Sequence, residues 1–534
     1  MVICAGFTRS RAATRHGFRE DDHTFKQRIL IGSDMNKSAG VLLGIVVAVG
    51  AISAGGAWYT GTKLEGVLQQ QVIESNKELQ AALIGYDATA TLELVSLERG
   101  VFSSNARYRL KTQGEVFNGG LELMIADHIE HGPLPFSRLI RLKWLPVMAS
   151  SHYELENNGQ TDKWFAATKG AAPFKGVVNV GYDLSAEGTL DFAPMELALD
   201  ELNNLKFSGL NATFSVGDNR RKAKVDGYMD SLSLFLSSPD KAPLKLEING
   251  LTLASNLQKS SFDYFLGQNT LELSGLKATF GDKQSVLTLK HFEQKTFSEE
   301  TGSTVAGRAD YRVGEIAFDG KTVGSAEMLW SMKSLDSQGM LDLVQVYQNV
   351  LQPYQKAATE ASAEGEPAPE LQMSDAEQVK VRAAVNKVLE AKPQIALESL
   401  AFKTAGGESR FSLSLDLAKP QSLELPPAEL GKQLVSQLDA KLSLSKPMVA
   451  DIAALQAQVE GQTDAKLIAE QSAATAEMLS AMALSTQLAK LEGNDVVSAL
   501  HYANNEVNFN GQKMTVEQFI GLVMSKLGGV GAQQ

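Results

Sequence analysis

The fold of this chain is decided by the segment LKFSGLNATF at residues 205–214 and by two relatives of it. Residues 271–280 read LELSGLKATF, and residues 246–253 read LEINGLTL. In each segment apolar and polar residues alternate, a glycine interrupts the alternation, and a second alternating stretch follows. Alternation predicts a strand with one buried and one solvated face. A glycine inside such a strand indicates a bulge or bend, and repeated bends would curl a long antiparallel sheet.

Alternation of this kind recurs over most of the chain between residues 90 and 320. The further strand-like segments are residues 90–94, 106–110, 177–184, 231–236, 286–289 and 313–318. Together with the weak internal repeat, they favour one extended antiparallel sheet over a compact α/β core.

Helical patterns enter in the second half of the chain. Apolar residues recur at helical spacing over residues 336–354, 379–389, 447–460, 472–492 and 515–527. Residues 395–403 and 410–417 predict a hairpin, and residues 502–509 predict a strand that ends at the Asn510-Gly511 turn. The predicted fold class is α+β: an N-terminal transmembrane helix, then an extended, curved, mostly antiparallel β-sheet body with packing helices in the C-terminal half.

The N-terminal region predicts the compartment. Residues 39–59 read AGVLLGIVVAVGAISAGGAWY, about the length that an α-helix needs to cross a bilayer. One interpretation is an uncleaved signal anchor; another is a signal peptide cleaved near the small residues at 51–54; a buried core helix is the third. The first two place the chain after about residue 63 outside the cytoplasm. The anchor residues are Leu42, Leu43, Ile45, Val46 and Val47, with Trp58 and Tyr59 at the membrane exit.

These patterns divide the chain into six segments. Residues 1–34 have mixed charge and no sustained pattern, which is typical of a mis-assigned start before Met35 or of a disordered cytoplasmic tail. The other segments are a transmembrane signal anchor at 35–62, a stalk helix at 63–85, a β-rich periplasmic domain at 86–335, a helical segment at 336–392 with an exposed linker at 356–374, and an α+β C-terminal periplasmic domain at 393–534.

Composition excludes several classes of function. The formal net charge is -12, which argues against nucleic acid as a partner, because phosphates are neutralised by basic surfaces. The only cysteine is Cys4, before the predicted start, so thiol catalysis, disulfides and cysteine zinc sites are disfavoured. The sequence shows no Walker loop, dinucleotide fingerprint or Gly-x-Ser-x-Gly elbow. We therefore expect no cofactor and a non-enzymatic protein, although a glycosidase-like carboxylate pair could form in space.

Two short motifs are candidate interaction sites. The first is RGVFSS at residues 99–104, interpreted either as a hairpin corner with Phe102 buried or as a recognition element. The second, HGPLP at residues 131–135, predicts a rigid turn that could dock the body near a membrane or a partner. It follows DHIEH at 127–131, which offers only two ligands to each face of a strand and so disfavours zinc. The candidate residues are Arg99, Gly100, Phe102, Ser103, His131, Gly132, Pro133 and Pro135.

The chain resembles the YdgA/YihF family of inner-membrane proteins of unknown function. The resemblance rests on the apolar run after Met35 and on short motifs at 58–61 (WYTG), 99–104, 131–135 and 500–512. It implies an inner-membrane anchor and a periplasmic body capable of self-association, and it implies no catalytic residues. A more distant similarity is to AsmA-like envelope proteins, which combine one membrane helix with long β-rich periplasmic segments.

Three functional hypotheses follow. The leading one is a membrane-anchored, non-enzymatic periplasmic envelope protein that binds lipid or another hydrophobic ligand along a curved β-sheet. The second is a structural or assembly protein that forms a homodimer through its amphipathic helices. The third is a hydrolase that acts on envelope glycan or lipid. The expected location is the inner membrane, crossed once, with the bulk of the chain in the periplasm.

Overall fold

The computed structural model describes residues 64–83, 88–114, 120–200, 202–217, 221–238, 241–363, 367, 370–371 and 373–530. Residues 1–34 and the predicted anchor at 35–62, with Leu42 to Val47, Trp58 and Tyr59, lie outside this range. Within it, no helix has the length and apolar character needed to cross a bilayer.

All described strands join a single 22-stranded sheet, and every pairing in it is antiparallel. The strands are β1 Ala88–Arg99, β2 Ser103–Gly114, β3 Leu121–His131, β4 Ala149–Glu156, β5 Phe174–Val180, β6 Ala186–Phe192, β7 Met195–Ala198, β8 Asn204–Phe207, β9 Leu210–Gly217, β10 Lys222–Ser238, β11 Lys241–Lys259, β12 Phe265–Phe280, β13 Ser285–Thr301, β14 Thr304–Phe318, β15 Lys321–Asp336, β16 Gln394–Lys403, β17 Glu408–Leu417, β18 Val435–Ser445, β19 Lys490–Glu492, β20 Asp495–Ala503, β21 Glu506–Phe509 and β22 Gln512–Thr515.

The topology is a meander, in which strands that are adjacent in sequence are adjacent in the sheet. β6 and β7 are two parts of one interrupted strand, which pairs with another made of β9 and β8, and that strand pairs with β10. β18 pairs with β20 across an inserted pair of helices. Short connections of this kind keep almost every pairing local along the chain.

Ten helices are described, and most are inserted between strands of the C-terminal half. They are α1 Leu64–Ala82, α2 Phe136–Ile140, α3 Asp162–Ala167, α4 Ser337–Val346, α5 Gln352–Ala363, α6 Asp375–Glu390, α7 Pro427–Leu434, α8 Lys446–Val459, α9 Ala465–Ser485 and α10 Val516–Val530; a π-helical turn, Tyr347–Leu351, joins α4 to α5.

The predicted curved antiparallel sheet is confirmed, and the fold is mostly β with helices added to it. The hairpin at 395–403 and 410–417 is β16 and β17. The single strand predicted at 502–509 is wrong, because Asn504 and Asn505 have φ of 52° and 61° and turn the chain between β20 and β21. Helix α5 also extends to Ala363, into the segment whose composition predicts a linker.

A row of backbone kinks crosses the middle of the sheet, where the glycine-interrupted segments predicted bends. The kinks lie beside one line of cross-strand partners, in which each residue pairs with the next from β10 to β14: Ser231, Asn249, Gly275, Lys290 and Glu315. In each of these strands the residue next to this line has no cross-strand partner. The backbone angle φ is positive at three of the kinked positions: Gly209, Gly250 and His291.

The kink row preserves one continuous apolar face. Apolar side chains that are normally two residues apart in a strand are three apart across this row, at 207/210, 229/232, 248/251, 273/276, 289/292 and 313/316. In a regular strand an extra residue would move every later side chain to the opposite face. Because all six strands carry the extra residue at one level, we infer that the sheet bends there and keeps its pairing in register.

The most deeply buried core lies in the first nine strands. Helix α1 packs its Leu68, Leu79 and Leu83 against the sheet, and Asn76 hydrogen-bonds both backbone groups of Leu92 on edge strand β1. The helix thus protects an edge that could otherwise pair with another chain. Fully buried strand residues include Val178 and Leu190.

One carboxylate lies inside this core. Asp127 on β3 is 3% exposed and accepts a hydrogen bond of 2.6 Å from the Ser151 hydroxyl. Burial raises the pKa of Asp127 to about 6, although the Ser151 hydrogen bond opposes the shift. Burial, with the nearby Asp127 charge, also raises the pKa of Tyr108 and Tyr153.

Substitution of Gly250 should test the kink row. Gly250→Ala places a Cβ against the Ser274 side chain at a φ of +61°, so we expect the free energy of unfolding to fall by about 1–2 kcal/mol. Gly275→Ala is the matched control, because its Cβ would meet nothing closer than the Leu289 carbonyl at 3.9 Å. Urea denaturation followed by circular dichroism measures both variants; equal losses would contradict the kink assignment.

The Asp127→Asn variant should change the pH dependence of stability. Between about pH 4 and 6 the unfolded chain ionises Asp127 while the folded chain keeps its proton, so wild-type stability falls as pH rises through this window. The loss should reach about 3 kcal/mol, and asparagine, which keeps an acceptor for Ser151, should abolish it. Thermal unfolding of both proteins from pH 4 to 7 measures the difference, and parallel profiles would exclude a buried ionisable Asp127.

Candidate functional site

The two candidate motifs meet at one end of the sheet. Ser103 and Ser104 on β2 pair with Glu130 and Ile129 on β3, and the His131 amide donates a hydrogen bond of 2.8 Å to the Phe102 carbonyl. The His131 ring also contacts the Ser104 hydroxyl, with Nε2 and Oγ 3.1 Å apart. Pairing of β2 with β3 therefore joins sequence motifs that lie about thirty residues apart.

Both glycines of the motifs stand where backbone approaches backbone. A Cβ on Gly100 would lie 2.5 Å from the Ser103 carbonyl, so the tight turn after Arg99 needs glycine. A Cβ on Gly132 would overlap the Val147 carbonyl. Gly132 is followed by Pro133 through a cis peptide bond, and Pro135 is buried at the N-cap of α2.

Phe102 is exposed, so the prediction of a buried Phe102 is wrong. The hairpin corner itself is present, but Phe102 lies in the turn before β2 begins and is 85% exposed, and Val101 is 84% exposed. The buried face of this hairpin is occupied instead by residues inside the strands, such as Ala106 and Tyr108.

The segment between β3 and β4, residues 132–148, forms a closed loop at the same end. Its base is fixed by hydrogen bonds from Gly132 N to Met148 O, 2.7 Å, and from Val147 N to Pro133 O, 3.0 Å. Buried Arg138 on α2 donates from Nη2 to the Leu145 carbonyl at 3.2 Å, which joins the two arms of the loop. We call this segment with the turn 100–102 the apolar tip, because it carries eight exposed large apolar residues: Val101, Phe102, Leu134, Phe136, Ile140, Leu142, Trp144 and Leu145.

A polar cluster holds the apolar tip to the sheet. Glu130 on β3 accepts hydrogen bonds from the Ser137 amide, at 3.1 Å to Oε2, and from the Ser137 hydroxyl. His152 on β4 has its Nε2 atom 3.1 Å from Ser137 Oγ, and Ser150 Oγ lies 3.4 Å from the same nitrogen. Burial lowers the pKa of His152, and the nearby Glu130 partly offsets that effect.

This cluster is built to position a loop and does not resemble a catalytic triad. In a triad the acid orients the histidine through the ring nitrogen that faces away from the nucleophile. Here Glu130, Ser137 and Ser150 all gather at Nε2 of His152, and the Ser137 hydroxyl donates to Glu130. The Ser137 hydroxyl proton is thus directed at the Glu130 carboxylate, and Glu130 lies on the Nε2 side of the His152 ring and not on the Nδ1 side, where the acid of a triad would lie.

The segment 127–131 splits between two environments. Asp127 points into the core, whereas His128 faces outward and lies 2.8 Å from Asn105 Oδ1 through its Nδ1 atom. In the described part of the chain, no three His, Cys, Asp or Glu side chains are grouped as metal ligands.

A second candidate surface is one face of β10 to β18, which we call the apolar sheet face. Its side chains form two parallel rows across the strands: Met229, Leu251, Leu273, Phe292, Val313, Ala326 and Phe402 from β10 to β16, and Leu253, Leu271, Tyr311, Met328, Leu400, Phe411 and Leu442 from β11 to β18, the second row being interrupted on β13 by the polar Gln294. From β11 onward none of these side chains is fully buried, and Leu400 remains 46% exposed.

The helices of the C-terminal half leave most of this surface uncovered. Among the described elements, α4, α6 and α8 pack on β15, α7 and α8 on β18, α9 on β20, and α10 on β21 and β22. No described helix packs more than marginally on β10 to β14. The part of the apolar sheet face that lies on β10 to β14 therefore has no cover from the described helices.

The opposite face carries a ladder of charges. Glu272, Glu293, Arg312 and Glu327 are cross-strand neighbours on β12 to β15. Arg312 lies between the carboxylates of Glu293, at 3.5 Å, and Glu327, at 3.2 Å. These ion pairs are half-buried and line a cavity on this face together with Glu272 and Arg410.

Two features of the site were missed by reasoning from the sequence. The loop at 132–148 was interpreted only as a proline turn, yet FSRLIRLKWL at 136–145 combines apolar residues and cations without one acid. The extent of the uncovered apolar face was also missed, because the sequence does not show where the helices pack.

Loss of the Glu130 carboxylate should loosen the apolar tip. Removing a charged acceptor from a hydrogen-bonded site costs about 1–3 kcal/mol, so Glu130→Ala should speed hydrogen exchange of amides 137–145 roughly tenfold or more. Glu156→Ala is the control, because Glu156 on β4 pairs only with Arg107 at the surface, at 3.0 Å. Exchange measured by mass spectrometry that is unchanged in Glu130→Ala would show that the cluster does not hold the loop.

Comparison with known proteins places the chain in a family. The profile of a family described as bacterial protein of unknown function (DUF945) matches residues 35–517. Protein YdgA of Escherichia coli strain K12 is 27% identical over 91% of this chain and 97% of its own length. The uncharacterized protein YihF of the same strain is 24% identical over 89% of this chain and 97% of its own length.

A third relative is more distant and shorter in coverage. An uncharacterized protein of Haemophilus influenzae is 22% identical over 58% of this chain and 86% of its own length. No solved structure matches the chain. The resemblance based on the motifs is confirmed, and the chain belongs to the DUF945 family of bacterial proteins of unknown function, which it shares with YdgA and YihF.

Proposed function

We propose that this protein is a non-enzymatic component of the bacterial envelope, anchored in the inner membrane by residues 35–62, which binds lipid acyl chains along the apolar sheet face. The bulk of the chain then lies in the periplasm. The half-buried apolar rows of β11 to β18 carry this proposal, because a contiguous apolar surface of this kind is normally covered in a soluble protein.

The dimensions of the apolar sheet face suit a long flexible hydrocarbon. Its two rows run from β10 to β16 and from β11 to β18, and strands spaced about 4.8 Å apart make them strips roughly 29 and 34 Å long. Binding would be driven by removal of apolar surface from water, at about 25 cal/mol for each Å² buried. Few directed polar groups are needed for such a ligand.

The anchor is supported by the sequence before the body. Residues 39–59 form an uncharged run of bilayer length, and α1 begins at Leu64, directly after it. The family profile matches from residue 35 onward and so includes this run. An anchored body is close to its lipid source, which favours lipid over a soluble ligand.

A photo-crosslinking experiment on the full-length chain tests the proposal. The photoreactive residue p-benzoylphenylalanine replaces Leu273 on the apolar sheet face, and in the matched control it replaces the adjacent Glu272 on the charged face. Irradiation of living cells followed by mass spectrometry of the purified chain should detect a lipid adduct at position 273 and none at position 272.

Two results would overturn the acyl-chain site. One is the absence of lipid adducts at position 273 and also at Val313, its neighbour two strands away in the same row. The other is equal lipid labelling at 272 and 273, since unspecific contact with a bilayer would not distinguish the two faces of the sheet.

A further inference from the structure

The apolar tip is an exposed apolar surface that the acyl-chain site does not explain. Phe136 is 70% exposed, Leu142 71%, Trp144 64% and Leu145 78%. Soluble proteins rarely leave so many large apolar side chains together in water. The next turn at this end of the sheet, between β5 and β6, adds exposed Tyr182 and Leu184.

The exposure belongs to a well-fixed structure. The loop is closed at its base by Gly132 and Met148, joined across its arms by Arg138, and fastened to the sheet by Glu130 through Ser137. Its apolar side chains therefore cannot turn inward to form a core without breaking these bonds. Because these bonds keep its apolar side chains exposed, the apolar tip is available for contact with an apolar environment.

The charge around the apolar tip indicates which apolar environment fits. In a chain of net charge -12, residues 131–153 contain no Asp or Glu but include Arg138, Arg141 and Lys143. Arg141 and Lys143 are exposed beside the apolar side chains, and they border a cleft over β5, β6, β9 and β10 whose other charged residues are Glu187, Lys224 and Asp226. Cations next to Trp, Phe and Leu are the composition of segments that lie in the head-group region of anionic bilayers.

The orientation of α1 places Leu64, where the described chain begins, toward this end of the body. Asn76 on α1 contacts Leu92 on β1, and only residues 83–87 separate the helix from the strand, so the two elements run in opposite directions. From that contact, α1 extends about 18 Å back to Leu64, and β1 extends about 23 Å forward to Arg99. Leu64 and the apolar tip therefore lie toward the same end of the sheet, and the apolar run 39–59 precedes Leu64 in the sequence.

We propose that the apolar tip inserts into the surface of an anionic lipid bilayer, with Phe136, Leu142, Trp144 and Leu145 among the acyl chains and Arg141 and Lys143 at the head-group phosphates. The body would then stand on the membrane at two points, its anchor and its tip, with the sheet running away from the bilayer. The proposal shares the bilayer location with the proposed function and does not depend on the acyl-chain site.

The test uses the full-length chain reconstituted in vesicles of phosphatidylcholine with phosphatidylglycerol. Cys4→Ser removes the native thiol, and Leu142→Cys carries an environment-sensitive fluorophore. Leu202→Cys is the matched control, because Leu202 is 51% exposed in the turn between β7 and β8 at the opposite end of the sheet. Lipids with a quencher near the top of the acyl chain should remove most of the emission at 142 and leave 202 unchanged.

Charge reversal tests the head-group contact. Arg141→Glu combined with Lys143→Glu should abolish the quenching at 142, and vesicles of phosphatidylcholine alone should weaken it in the unmodified chain. Quenching at 142 that is no stronger than at 202 would overturn the proposal. So would a shift in the emission at 142 that grows with protein density and ignores lipid-borne quenchers, because a second copy of the chain would then cover the tip.

A third label separates this inference from the acyl-chain site. Leu273→Cys reports on the apolar sheet face in the same vesicles. Quenching at 273 without quenching at 142 would retain the acyl-chain site and reject membrane insertion of the tip. Quenching at 142 without quenching at 273 would retain the tip and count against the acyl-chain site.

Discussion

The architecture depends on a constraint that is specific to β-strands: side chains alternate strictly between two faces, so a long strand that must bend can lose its apolar face at the bend. This chain meets the constraint by placing an extra residue at the same level in six neighbouring strands. Gly209 and Gly250 occupy two of these kinked positions. Since every strand shifts together, pairing stays in register and the apolar face continues across the kink. One meander can thus extend to 22 strands without a second sheet.

A sheet of this size creates the surface on which the proposed function rests. The first nine strands enclose a closed core with Val178 and Leu190 fully buried, whereas the later strands have only a few helices to cover them. Helices inserted after β15 and β18 pack near their own points of insertion, because short connections keep them there. Within the described part of the chain, β10 to β14 consequently show an apolar face that no helix covers, opposite a face on which Arg312 pairs with the carboxylates of Glu293 and Glu327.

The two ends of the sheet differ in the elements and in the apolar surface that they carry. The end of the sheet at which α1 begins also carries the apolar tip, which is held by Glu130, Ser137 and Arg138. The polar contacts of Glu130 and Arg138 fix a loop whose apolar side chains face solvent, whereas polar contacts near a core usually fix segments whose apolar side chains face inward. This asymmetry distinguishes the two ends of the sheet, and the proposed contact of the tip with a bilayer depends on it.

The sequence by itself determined the strands, the antiparallel sheet and its bends, because alternation and interrupting glycines are local properties of the chain. It also determined the family, since the motifs at 99–104 and 131–135 are contiguous in sequence. It failed at Asn504-Asn505, where two asparagines with positive φ turn the chain within a predicted strand, and at Phe102, whose side chain falls in the turn outside the alternating pattern.

Only the tertiary structure decided that those two motifs touch, that the kinks align in one row, and that the apolar sheet face stays uncovered. Each of these depends on register and on where helices pack, which are relations between segments distant in sequence. Asp127 is the clearest case: one residue of an apparently polar run enters the core because β3 is paired on both sides, and the same pairing leaves His128 in water.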